Sequence, residues 1–223
     1  MIRFESVFNN NTLNIFTDAS IYNHNGEDIG APGYVAVIGN NVVDKQAIVL
    51  RESTNNESEI YAILMGIQFA LANRDKVKVI NIFSDSQFAV FGLREWIFKW
   101  MRNIKDDRLY NSSGKLVANQ KIFMNIIYTI LEYDLKVSIY HNRGHFSKNQ
   151  IKEFIHLFSK HNFLNDYIDY RTASGIMYYN DMVDNYTRNL LKEKIFPQKL
   201  EILDYAATKN LDMQQYKKLL NIL

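Results

Sequence analysis

The chain has 223 residues, 47% of them apolar, and a formal charge of +2, which suits one domain, or one domain with an appendage, around a sizeable core. With no cysteine, disulfide frameworks and thiolate metal sites are excluded and a reducing compartment fits. No apolar run approaches the ~20 residues of a membrane helix, and charges interrupt the N-terminal MIRFESVFNN too often for a signal peptide, so a soluble cytoplasmic protein without membrane contact is expected.

In chain order, LNIFTD (13–18) reads as a strand and the glycine-bearing NHNGEDIGAPG (23–33) as a polar turn. YVAVIG (34–39) and VVDKQAIVL (42–50), separated by the turn NN, are rich in β-branched residues and continue an antiparallel meander. The period then changes: Ile60, Ile63, Leu64, Ile67 and Leu71 recur at helical spacing. Thr54 and Glu57 stand as a capping box that opens this helix near Asn55. VKVINIFSD (77–85) is a second apolar strand ending in an acid, and a helix is expected from about Ser86 to Arg102. ANQKIFMNIIYTILEY (118–133) reads as a helix and KVSIYH (136–141) as a strand. Beyond it, one amphipathic helix is expected within 146–163 and another within 178–194. After Pro197, two short terminal helices are expected.

A meander followed by strand–helix–strand units predicts an α/β fold, a mixed sheet with helices on its faces. Right-handed crossovers run the strands ending at Asp18, Asp85 and His141 parallel. Asp18 and Asp85 then share the carboxyl edge, where open α/β sheets place their sites. This reading explains the similarity of NIFTDAS (14–20) and NIFSDSQ (81–87) as a site and not a repeat. Two carboxylates so close raise each other's pKa; a divalent cation removes that cost, and oxygen ligands select Mg²⁺ or Mn²⁺. Glu59, in the first turns of its helix beside Ile60, borders the apolar face. It reads as a third ligand, or as a favourable acid at a helix start. Asp184, beside Val183, reads as a fourth ligand or as a surface acid.

Between Arg94 and Lys121 seven basic residues (Arg94, Lys99, Arg102, Lys105, Arg108, Lys115, Lys121) face three acids. Such a bias suits a polyanion or a solvated helix face.

FTDAS (16–20), TNNESE (54–59), FSDSQF (83–88) with the following Trp96 and Trp100, RGH (143–145) and NDMVD (180–184), in that order, resemble the type 1 ribonuclease H family, which cuts the RNA strand of RNA–DNA hybrids. The resemblance covers roughly residues 12–192. It implies a ribonuclease H-like mixed five-stranded sheet, with a three-stranded antiparallel meander followed by parallel strands and helices on both faces. Residues 1–195 would form this domain, with an insertion at about 146–179, and 196–223 a C-terminal helical extension. The implied metal ligands are Asp18, Glu59, Asp85 and Asp184, holding two Mg²⁺ or Mn²⁺ ions per site. The implied products carry a 5′-phosphate and a 3′-hydroxyl. His145 matches a mobile-loop histidine that assists proton transfer or product release, with His141 as the nearby alternative.

Ser20, Thr54, Asn55, Asn56, Gln87, Trp96 and Asn180 match positions that bind the hybrid or lie near the metal site. Hydroxyls and amides can bond to phosphate oxygens, 2′-hydroxyls and minor-groove edges without requiring one sequence. The basic stretch occupies the place of a helix-and-loop protrusion that grips the DNA strand. Two departures stand out: a longer, more polar turn after Asp18, and the expanded segment between RGH and NDMVD. That segment either packs on its own domain or acts as a lid or partner contact. It and the C-terminal helices are candidate docking points for a replication partner of an otherwise monomeric protein.

Overall fold

The computed structural model describes residues 8–144, 146–193, 202, 205–207 and 210–220. Five strands form one sheet in the order β3-β2-β1-β4-β7. β1 (Thr12–His24), β2 (Glu27–Ile38) and β3 (Asn41–Ala47) make the antiparallel meander. β4 (Val79–Ser84) and β7 (Val137–His141) extend it in parallel. The expected mixed α/β sheet is therefore present, with β1, β4 and β7 parallel as predicted.

The first correction concerns Asp18. β1 does not end there: it runs on to His24 and turns back at Asn25–Gly26, whose φ angles of 52° and 87° are those a type I′ hairpin needs at both central residues. The polar turn expected over residues 23–33 is mostly strand. Gly30, Pro32 and Gly33 had masked the alternation, whereas the Asn-Gly pair carried the hairpin signal. Asp18 pairs with Gly33 in mid-strand, and what ends near it is the parallel pairing with β4, whose last register pair is Thr17 with Ser84.

That register explains the similar stretches. Asn14 faces Asn81, Ile15 faces Ile82 and Phe16 faces Phe83. Asn81 Nδ2 donates to Asn14 Oδ1 (3.0 Å), and the two phenyl rings stack at 4.7 Å. Burying a polar pair costs little when each satisfies the other; burying each ring contributes about 1.5–3 kcal/mol. Both terms hold one residue register, and with it the alignment of the two acids.

Helices cover both faces, and one core lies on each. Leu13, Ile15 and Ile82 point to the face covered by α1 (Asn55–Ala72) and α4 (Gln120–Glu132). α1 opens as expected, with Thr54 accepting from the Glu57 N–H (3.3 Å). At Gly66 a side chain would collide with Ile15, its Cβ standing 2.8 Å from Cγ2. The glycine lets α1 lie against β1, and Glu59, two turns earlier on the same face, is carried to the sheet edge. Of the C-terminal segment, α7 (Met213–Leu219) and Ala207 share this core, with Tyr216 fully buried. The other expected terminal helix falls largely outside the described residues.

On the opposite face, Phe16, Val35, Phe83 and Tyr140 pack against α5 (Ile151–His161) and α6 (Tyr170–Lys192). The helix expected at 178 begins at Tyr170, because Asp169 accepts from the Thr172 N–H (2.8 Å) and caps it there. Residues 146–179 thus hold a 3₁₀ turn at Lys148–Gln150, α5, a loop and the first turns of α6.

The helix expected from Ser86 to Arg102 is interrupted. α2 (Gln87–Phe91) passes through a π turn, Gly92–Trp96, into α3 (Ile97–Trp100). A two-residue hairpin of β5 (Ile104–Lys105) and β6 (Arg108–Leu109) follows. Among the described residues no helix is long and apolar enough to cross a membrane.

Candidate metal centre

Three carboxylates from three elements meet at the sheet edge. Asp18 comes from β1, Glu59 from α1 and Asp85 from the residue after β4, each offering an oxygen within 4.8 Å of the others. Asp18 is 7% exposed and Glu59 6%. Burial, then the charges of Asp85 and Asp184, raise the Asp18 pKa to about 8. The same causes, burial first and then Asp18 and Asp85, push Glu59 well above the ordinary carboxylate range. The Ala19 backbone N–H opposes both shifts, and so does Arg188 at Asp18. Glu59 Oε2 is buried without a hydrogen-bond partner. A buried anionic oxygen left unpaired is costly. A hard cation at this point would supply the missing partner and remove the repulsion, so the donor set fits an oxygen-ligated divalent ion.

Gly144 of the RGH motif has a steric role beside these acids. A Cβ there would stand 2.5 Å from Asp85 Oδ2, so any larger residue would displace the carboxylate. His141, at the end of β7, is buried, and its Nε2 lies 3.1 Å from the Asp85 carbonyl oxygen. Burial lowers its pKa to about 4, so it stays neutral at physiological pH. Nε2–H donates to that carbonyl and holds the backbone of Asp85. His145 lies outside the described residues.

Asp184 stands apart from the group of three. It sits on α6 and Arg188, one turn on, places Nη2 2.6 Å from both its oxygens. Its charge nevertheless reaches Asp18. The i,i+4 pair was readable in the sequence; that it neutralises a candidate ligand is visible only in the fold.

The remaining positions divide by exposure. Thr54, Asn55, Asn56 and Gln87 are exposed at the starts of α1 and α2, both of which border the carboxylates. Ser20 Oγ lies 3.0 Å from Thr187 Oγ1, which ties β1 to α6. Asn180 is buried, and its Oδ1 accepts from Asn142 Nδ2 (2.6 Å), which ties α6 to the end of β7. Trp96 packs against Phe88, Phe91 and Trp100.

Arg94 is a second correction: it is buried in the π turn and donates from Nη1 to Asn162 Oδ1 (2.9 Å). The other six basic side chains of the 94–121 stretch are exposed. Asn162, a single asparagine at a helix end, carries no sequence pattern that would mark it.

A family model described as RNase H matches residues 10–155. Ribonuclease H of Neorickettsia sennetsu is 29% identical over 114 residues, covering 50% of this chain and 68% of that protein. Ribonuclease HI of Haemophilus ducreyi is 29% identical over 115 residues, covering 51% and 67%. Among solved structures, the RNase H domain of PFV superposes with a TM-score of 0.52 at 18% identity, covering 77% of this chain and 94% of that one. A foamy viral protease-reverse transcriptase in complex with RNA/DNA hybrid gives a TM-score of 0.55 at 14% identity, over 73% of this chain and 21% of that one. At such identities the structural likeness speaks for the fold.

Proposed function

The chain belongs to the RNase H family, and from that premise we propose that it is an endoribonuclease hydrolysing the RNA strand of RNA–DNA hybrids, leaving a 5′-phosphate and a 3′-hydroxyl. The observation that carries this reading is the meeting of Asp18, Glu59 and Asp85 within 4.8 Å with one buried carboxylate oxygen unsatisfied. Asp18, Glu59 and Asp85 hold divalent cations, Mg²⁺ or Mn²⁺, with Asp184 as the ligand from α6; two ions per site fit a set of four carboxylates. When bound, such ions lower the pKa of water and stabilise charge on the phosphate oxygens.

The protein's own contribution is placement. The Asn14–Asn81 and Phe16–Phe83 pairs hold β1 and β4 in one register, so the acids arrive together without reorganisation during the reaction. Thr54, Asn55, Asn56 and Gln87 bind the hybrid beside the centre. Lys99, Arg102, Lys105, Arg108, Lys115 and Lys121 meet its phosphates farther out.

The test is a panel of labelled hybrid, duplex DNA and duplex RNA incubated with Mg²⁺ or Mn²⁺. Cleavage confined to the RNA of the hybrid, and absent in Asp85→Asn, is expected. Intact hybrid after incubation with folded protein overturns the reading, and cleavage of duplex DNA replaces it with a DNA nuclease of the same fold.

A further inference from the structure

Helix α5 ends in a Schellman motif: the Phe163 N–H donates to Lys160 O (3.3 Å) and the Leu164 N–H to Ser159 O (3.0 Å). The residue at the turn of such a motif takes left-handed backbone, and glycine usually occupies it. Here it is Phe163, at φ 53°. A bulky side chain in that region is strained, and burial does not compensate it. Phe163 is 72% exposed, the most exposed of the large hydrophobic side chains among the described residues. The next three, Tyr167, Tyr170 and Tyr178, are also aromatic and follow within fifteen positions.

The strained ring is firmly placed. Its neighbour Asn162 is 7% exposed. Asn162 Oδ1 accepts from the His141 N–H (2.8 Å) and from Arg94 Nη1 (2.9 Å). Its Nδ2 donates to His141 O (2.8 Å) and to Phe158 O (2.9 Å). The end of α5 is thereby fixed to the end of β7, where His141 touches the Asp85 carbonyl. The position is also positively charged. The Arg94 guanidinium carbon is 5.7 Å from the Phe163 ring centroid. Burial, then the nearby charges of Lys160 and Arg143, both exposed, hold the His161 pKa below the ordinary imidazole value.

We propose that Phe163 is a stacking platform for an unpaired nucleobase, where a single-stranded tail of the substrate passes the Asp85 side of the metal centre, with the exposed Arg143 and Lys160 available to its phosphates. An aromatic ring accepts any base on its face, and a cationic surround accepts any backbone. Neither needs a particular sequence. This inference rests on the proposed function and adds a substrate preference: hybrids bearing a single-stranded extension bind more tightly than blunt ones.

The strain makes the test direct. Glycine relieves the left-handed backbone, so Phe163→Gly should fold at least as well as the parent, with a Tm about 2–4 °C higher. Its Kd for a tailed hybrid, read by fluorescence anisotropy without divalent cation, should rise about 5- to 10-fold, while the Kd for a blunt hybrid stays within about 2-fold. Phe163→Trp should retain the affinity for tails. A raised Tm with unchanged Kd for tailed hybrid overturns the proposal and leaves the ring to a protein partner. A lowered Tm overturns its premise of strain. Because the readout is binding, a protein that binds tailed strands but cleaves no hybrid refutes the nuclease reading and not this one.

Discussion

Asp85 and Asp184 are both acids read from the sequence as metal ligands, yet the fold treats them differently. Asp85 shares a pocket with Asp18 and Glu59, where burial and mutual repulsion raise the pKa values of both neighbours. Asp184, with its side chain 20% exposed, already holds a guanidinium at 2.6 Å. A carboxylate cluster that leaves a buried oxygen of Glu59 without a hydrogen-bond partner is prepared for a cation from outside; an acid neutralised by its own helix must share its oxygens with that arginine. The two sides of the centre therefore differ in how much of their binding energy the protein has left unused.

The largest expected effect tests that difference outright. Asp18→Asn or Asp85→Asn should reduce hydrolysis on the order of 10³-fold, about 4 kcal/mol of transition-state stabilisation, whereas Asp184→Asn should cost clearly less. Equal losses in steady-state assays at matched metal concentration would erase the contrast. The protrusion gives the next effect. Replacing Lys99, Arg102, Lys105 and Arg108 by glutamine should weaken hybrid binding about 10- to 100-fold near physiological salt and flatten the slope of log Kd against log salt. An unchanged slope would show that these exposed side chains meet no phosphate.

A further consequence follows from protonation. Because Asp18 and Glu59 have folded pKa values above their unfolded ones, the metal-free protein binds more protons folded than unfolded. Its stability should therefore fall as pH rises from about 4 through about 8. Divalent cation holds the carboxylates ionised and should reverse that trend, and metal affinity should climb over the same range as protons are displaced. Thermal melts with and without Mn²⁺ check both signs, and a metal-free Tm that rises over this range would contradict the shifts. The smallest effect sharpens the Asp184 side: Arg188→Met should tighten metal binding about 2- to 5-fold, measured by calorimetry, while the same change leaves the hydrolysis-deficient Asp85→Asn variant unable to bind.

Much of this was legible from local pattern. The strands, α1 with its cap at Thr54, and the parallel placement of β1, β4 and β7 follow from period, turn chemistry and crossover handedness. Asp18, Glu59 and Asp85 could be marked because acids bordering apolar runs are conspicuous. Gly30, Pro32 and Gly33 interrupt the alternation on the partner strand and so hide the true end of β1, although Asn25–Gly26 carries the signal of its turn. The π turn left no pattern, since one extra residue in a helical run barely changes its period.

The sequence by itself determined the chemistry on offer: oxygen ligands without thiolates, two matched strand segments, and a basic stretch after the tryptophan pair. Tertiary structure alone decided which charges remain available. It buried Arg94 against Asn162, closed Asp184 with Arg188, and left Glu59 Oε2 without a partner. The physical reason is that periodicity reports which face a residue occupies, whereas pairing depends on distances between elements far apart in the chain. Those distances are set by close contacts such as α1 on β1 at Gly66 and Asp85 against Gly144, which no local pattern encodes.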